Sequence, residues 1–477
     1  MELNPDYIKE NLSEIGKKEA LTLLRELINS SNDPNIRKRA LQTFGCIDEG
    51  KNFSFFEQLF LSDEDPYIRK FAGMILKEKY FTHKKIIRLL EYTLKKVDNV
   101  DQKIFSIKVL NSMENMKAVK IVVEYLKEFL KTKYKNETNF LQYGFDYSRA
   151  IPENYIKIFI NLILADFYEN KCGYLVTLKK GKIIALSCEG SNLGEVSDIY
   201  GFNLLSDLQH LSIQRNNLTK ITHLQHLIHL KTLILSNNKL ERIENLEYLS
   251  KLEELNLSNN KIGKIENLDP LLNLKKLSLS DNLIKSIENL NLLLNLETLD
   301  LSHNYISEIE NMEKLENLQR LNLSSNKIEK IQGLSCLRNL MWLYLNDNNI
   351  VTIECLSTQS KLKGLYLSNN IIKRISSLEN LIGLKKLELS NNKISKLEGL
   401  ENLGELQELY LDNNQIKTIE SLEGLNNLIM LHIGRNEIEE FRKELVEHLK
   451  NLNFLFLNEN PLNQKSFAEY QKRIRFP

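Results

Sequence analysis

From residue 183 onward the apolar positions fall into a pattern that repeats with a fixed step. The unit reads L-x-x-L-x-L-x-x-N-x-I/L. Its asparagine recurs every 22 residues, at Asn216, Asn238, Asn260, Asn282, Asn304, Asn326, Asn348, Asn370, Asn392, Asn414 and Asn436. A last step of 24 reaches Asn460. An imperfect first copy, IIALSCEGSNL, keeps Ile183, Leu186, Cys188 and Leu193 but has Ser191 in place of the asparagine. These copies predict about thirteen units over residues 183–462.

Within the Asn260 unit, Leu252, Leu255 and Leu257 precede the asparagine, and Ile262, Ile265, Leu268 and Leu271 follow it. The alternation at Leu255 and Leu257 has period two and predicts a strand. The later apolar residues come every third position, which predicts an extended or 3₁₀-like return. One such unit cannot bury its own apolar face, whereas stacked neighbours bury it between them. The expected fold is a parallel-β solenoid, roughly 60 Å long at the spacing of adjacent strands. The asparagine has a physical task in that stack. The backbone turns away from the sheet, and its buried amides need partners. An asparagine side chain both donates and accepts, so it can bond the turn of its own unit and that of the next.

Open solenoid ends expose core and strand edge and need covering. The segment 174–186 reads as a capping hairpin, with strands at Tyr174–Leu178 and Lys182–Leu186 about a Lys180-Gly181 turn. At the other end, Phe441–Lys450 reads as a helix lengthening the last unit. Residues 463–477 read as a cap with an amphipathic helix at Phe467–Ile474.

Before residue 173 the pattern changes to helical periodicity without the asparagine ladder. DPNIRKRAL from Asp33 and DPYIRKFAG from Asp65 match each other 32 residues apart, and a weaker copy begins near Asp98. Aspartate caps a helix N-terminus and proline suits the first helical position. Each copy follows an apolar helical stretch: KEALTLLRELI, FSFFEQLFL and KKIIRLLEYTL. Residues 1–131 therefore read as helical repeats. Residues 132–150 read as a loop, and Ile151–Glu169 as a helix bridging to a solenoid over 173–477.

The 22-residue unit resembles the short, SDS-type class of leucine-rich repeats, which includes a regulatory subunit of protein phosphatase 1 and the internalins. The likeness to the phosphatase regulator rests on NKIGKIENL at Asn260–Leu268, WLYLNDN at Trp342–Asn348 and the end NENPLNQKSFAEYQKRIRFP. It implies a non-catalytic scaffold whose partner contacts come from the concave face. Tyr344 stands in the register where that family has a tryptophan, and Trp342 lies two residues away. The paired helices resemble HEAT repeats. That resemblance implies that Arg37 and Arg69 ladder with an aspartate such as Asp33 or Asp65.

Charge and chemistry narrow the reading further. Basic and acidic residues number 64 and 63, a net charge of +1, which disfavours direct nucleic-acid binding. The five cysteines, Cys46, Cys172, Cys188, Cys336 and Cys355, are scattered and form no Cys-x-x-Cys, as expected of reduced thiols in a cytoplasmic protein. No apolar run reaches membrane-spanning length, and the polar start has no secretory core. No nucleotide, metalloprotease or hydrolase motif occurs, so no cofactor, small-molecule substrate or catalytic residue is expected. His223, His226 and His229 sit three apart, but each precedes a core leucine and is expected on the solvated outer face rather than around a metal.

The side chains alternating with the strand leucines should line the concave face. Four residues before each asparagine stand Ser212, Ile234, Asn256, Ser278, Asp300 and Asn322, then Tyr344, Tyr366, Glu388, Tyr410, His432 and Phe456. Six before stand His210, Thr232, Glu254, Lys276, Thr298, Arg320, Trp342, Gly364, Lys386, Glu408, Met430 and Phe454. The second half is aromatic. Trp342, Tyr344, Tyr366, Tyr410, His432, Phe454 and Phe456, rimmed by Arg320, Glu388 and Glu408, are the candidate partner-binding residues. The function expected is a protein-binding scaffold, with a regulatory subunit of a phosphatase or small GTPase as its specific form. An internalin-type surface adhesin and a ribonucleoprotein-associated assembly factor are the alternatives.

Overall fold

The computed structural model describes residues 4–133 and 150–473. Most of the loop expected at 132–150 and the last residues of the expected C-terminal cap lie outside them. The chain divides into two compact units, residues 1–172 with 178–183, and residues 173–177 with 184–477.

The first unit is helical: α1 (Pro5–Glu10), α2 (Leu12–Ile15), α3 (Lys17–Ser30), α4 (Pro34–Ile47), α5 (Phe53–Ser62), α6 (Pro66–Lys79), α7 (Ile86–Lys96), α8 (Val100–Asn111), α9 (Met116–Lys133) and α10 (Glu153–Phe167). The pairs α3/α4, α5/α6 and α7/α8 pack together, and α4, α6 and α8 pack in a row. The two copies of the DP motif open α4 and α6. Asp33 and Asp65 cap them by accepting from the Asn35 and Tyr67 amides at 2.8 Å. With those carboxylates committed, the arginine ladder takes a different aspartate from the ones expected. Arg37 pairs with Asp63 at 2.6 Å, and Arg69 donates to the Asp63 and Glu64 carbonyls. Helix α10 packs on α8. Asn111 fixes its approach, donating to the Ile151 carbonyl and accepting from the Ile151 amide.

The second unit is the solenoid. After the hairpin strands β1 (Leu175–Lys179) and β2 (Lys182–Ser187), twelve three-residue strands run from His210–Ser212 to Phe454–Phe456 in sequential order within one sheet. From β2 on, neighbours pair in parallel; between His210–Ser212 and Met430–His432 the register sets each strand residue beside its counterpart 22 positions away, and the offset is 25 at the first pairing and 24 at the last. The middle residue of each strand is a leucine, buried in every strand but the last. The return side is built from successive i→i+3 turns, as at Leu246–Leu249–Leu252, so the period of three marks turns and not an α-helix. Phe441–Lys450 is the exception to the expectation. It holds only a 3₁₀ turn at Lys443–Leu445, because Val446, Leu449 and Leu452 keep the spacing of three that suits turns rather than an α-helix. Helix α11 (Gln464–Arg473) follows, and its Tyr470 hydroxyl bonds the Leu457 amide and the Leu455 carbonyl on the last strand.

The asparagine ladder works in one direction. Asn260 accepts from the Leu240 amide at 3.0 Å and donates to Leu235 O and to its own unit's Leu257 O. Every ladder asparagine from Asn216 to Asn460 reaches back in this way to the unit before it, not forward to the next as expected. Each side chain thus sits in the preceding unit's turn, between the carbonyl just after that unit's strand and the amide two residues past its asparagine. Two further ladders carry no signal in the leucine pattern. Asn245, Asn267, Asn289 and Asn311 hold positive φ near 57° and bond the preceding unit's isoleucine carbonyl. Asn273, Asn295, Asn317 and Asn339 likewise bond backward on the return side.

Candidate functional site

The strand residues that alternate with the buried leucines stand on the open face of the sheet. In the first six strands they are mostly small or polar, Ile234 excepted, and some of them bond locally. Asn256 and Asp300 accept from the amides of Ser258 and Ser302 in their own turns, and His210 bonds Thr232 across the ladder.

From Arg320 onward the face becomes a row of rings. Parallel register sets the side chains of successive units side by side, at a spacing suited to stacking. Tyr344 and Tyr366 stack with centroids 4.4 Å apart. Tyr410, His432 and Phe456 form a second stack, at 4.7 and 4.1 Å. Glu388 interrupts the row between them. Lys386 closes the gap: its ammonium lies 5.6 Å from the Tyr366 ring and 4.7 Å from the Tyr410 ring, and pairs with Glu408 at 3.2 Å. At the near end the Arg320 guanidinium lies within 6 Å of both Trp342 and Tyr344, inside cation–π range.

Trp342 owes its position to Gly364 on the next strand. A β-carbon there would stand 2.5 Å from Trp342 Cε3, so only glycine lets the indole lie across that strand. Tyr410 donates to Glu408 Oε2 at 3.0 Å and approaches Met430 Sδ at 3.4 Å. Phe454 and Phe456 finish the row at 44% and 37% exposure.

The electrostatics follow from partial burial. Burial raises the Glu388 carboxyl above the usual range, and Lys386 only partly opposes it. Burial works against the Lys386 ammonium, yet the Glu408 ion pair outweighs it and holds the pKa above the ordinary value. Burial also raises the Tyr366 and Tyr410 phenols and lowers the His432 imidazole, against the pull of Asp412 3.5 Å away.

The structure thus brings Arg320, Trp342, Tyr344, Tyr366, Glu388, Glu408, Tyr410, His432, Phe454 and Phe456 onto one face. Lys386, expected only as one of the charged residues around the rings, is the link between the two stacks. The signal was present: a lysine six before one asparagine lies diagonally between tyrosines four before the asparagines on either side.

The three histidines do not converge. His223 bonds Thr222, His229 bonds Lys251, and His226 bonds the Phe202 carbonyl and sits edge-on to its ring. His226 is half-buried rather than solvated, because the segment holding Phe202 folds over it. No group of three or more metal-ligating side chains occurs among the described residues. All five cysteines are free thiols. No helix among the described residues is long and apolar enough to cross a membrane.

The family model for leucine-rich repeats in two copies matches residues 228–270, 272–314, 294–336, 360–402 and 404–445. No curated protein matches the chain. Among solved structures, a leucine-rich-repeat protein of Leptospira interrogans is 28% identical. The match covers 59% of this chain and 80% of that one, with a TM-score of 0.50. The leucine-rich-repeat domain of APL1B is 22% identical over 61% and 87% of the two chains, also at 0.50. An internalin of Listeria monocytogenes is 25% identical over 67% and 93%, at 0.49. C-terminal to its helices, this chain carries a leucine-rich-repeat solenoid.

Proposed function

We propose that the protein is a non-catalytic scaffold that holds a protein partner on the open sheet face between Arg320 and Phe456. The observation that carries this reading is the confinement of the aromatic row to the second half of the ladder. The leucine core and the 22-residue asparagine ladder are the same in both halves, so neither accounts for the rings. Half-exposed tryptophan, tyrosine and arginine, ringed by charge, have the composition of a binding hot spot. Affinity purification with the full chain tests it. Trp342→Ala with Tyr366→Ala should weaken recovery of bound proteins by about 30-fold or more. Ser278→Ala in the first half should leave it unchanged. Recovery of the same proteins by the aromatic double variant would sink the proposal.

The specific form we favour is a regulatory subunit of a phosphatase or small GTPase in the cytoplasm, with HEAT-like helical pairs ahead of SDS-type repeats. Its support is the likeness of the 22-residue unit and C-terminal segment to the phosphatase regulator, together with the five free thiols. Co-purification of a phosphatase catalytic subunit that the double variant no longer retains is the expected result.

A further inference from the structure

The helical unit has an exposed face that the scaffold reading leaves unused. The row formed by α4, α6 and α8 carries three, four and two basic residues against none, one and one acidic. Their pair-mates α3, α5 and α7 carry three, none and three basic against two, one and one acidic. The charge is therefore sorted onto one row. Along α6, Tyr67, Lys70, Phe71, Met74 and Lys77 follow helical spacing, and none of them is buried. Tyr67 and Met74 are 36% and 43% exposed. Tyr67 stacks on Phe71, and the Lys38 ammonium from α4 lies 4.8 Å from the Tyr67 ring. The face is thus an apolar strip edged by lysines.

We infer that this face docks an acidic amphipathic helix of a second protein, with its apolar side on Phe71 and Met74 and its carboxylates at Lys38, Lys70 and Lys77. Two observations select this occupant over nucleic acid. The arginines, whose flat fork suits phosphate and base edges, are spent internally: Arg37 on Asp63, Arg39 on Asp6 and Arg69 on backbone carbonyls. The cations left are lysines, and among the described residues Lys70 and Lys77 have no ion-pair or side-chain hydrogen-bond partner. The strip between them includes methionine, the side chain that adapts to helical partners.

The test uses the full chain and a fluorescent synthetic helix of about five turns, leucine on one face and glutamate on the other. The same peptide with lysine for every glutamate, and a short single-stranded RNA, serve as controls. The acidic peptide should bind, weaken as salt is raised, and lose about tenfold or more in affinity with Lys70→Glu plus Lys77→Glu. Met74→Ala should weaken it less. Trp342→Ala with Tyr366→Ala should leave it unchanged, which separates this inference from the proposal for the solenoid. An unchanged thermal melt of the lysine variant shows that the fold is kept. No preference for the acidic peptide over its lysine control overturns the inference, as does affinity indifferent to the double reversal or tighter binding of the RNA.

Discussion

The two halves of the solenoid share a leucine core and the 22-residue asparagine ladder, and differ in the chemistry of the open face. Residues 210–322 present mostly small or polar side chains, of which Asn256 and Asp300 bond within their own turns. Residues 342–456 present stacked rings linked by Lys386. The repeat leaves the open-face positions almost unconstrained, so their chemistry reports on something other than folding. That separation is what makes a scaffold face readable.

The comparison breaks first at the ladder, where the largest effect is expected. Asn304→Ala and Asn370→Ala each strand a buried isoleucine amide and leucine carbonyls. Each should cost about 3–5 kcal/mol in urea unfolding, alike in both halves. A loss confined to one half would show that the halves are not one frame. Next comes Gly364→Ala, which drives the Trp342 ring off its seat. About 1–3 kcal/mol of destabilisation is expected, with a red-shifted emission from the chain's one tryptophan. Unmoved emission would contradict the packing described.

Smaller again is the face itself. Tyr344→Ala should lose about 1 kcal/mol of stacking, while Ser278→Ala should stay within about 0.5 kcal/mol. Equal losses would mean that the rings contribute no more to folding than the serines. Smallest is Glu388. Burial raises its folded pKa above the unfolded value, so the folded state holds the proton more tightly. The chain is favoured below the unfolded pKa, and that advantage fades as pH rises through the folded one. Glu388→Gln should therefore be the more stable protein near neutral pH, with the gap closing in acid. Urea midpoints across pH check this, and a gap that widens in acid would reverse the sign.

Much of this was legible in the residues. The period of 22 and the alternation about Leu255 and Leu257 located strands and open face, because a parallel stack repeats its core in fixed register. The DP motifs located α4 and α6 through their caps. What stayed hidden depends on contacts between units. Nothing in one repeat says that Asn260 reaches backward, or that Asn245 and Asn273 form ladders of their own. Asp63 as the partner of Arg37 was equally out of reach, since Asp33 and Asp65 are nearer the motif and are consumed as caps. In place of the helix expected at Phe441–Lys450 stands a 3₁₀ turn, because Val446, Leu449 and Leu452 keep the spacing of three.

The backward bond of each asparagine also governs how such a chain can change length. Removing a whole internal unit rejoins an asparagine to the same kind of amide and carbonyl it would have met before, and the 22-residue ladder closes over the cut. Removing 21 residues instead misplaces it. Lengthening by two is tolerated where the chain itself shows it, between Asn436 and Asn460, where Asn460 accepts from both the Asn436 and Ile438 amides. The molecule can thus gain or lose reach in whole units without relearning how to fold, and its own departures from 22 sit at the two ends of the stack.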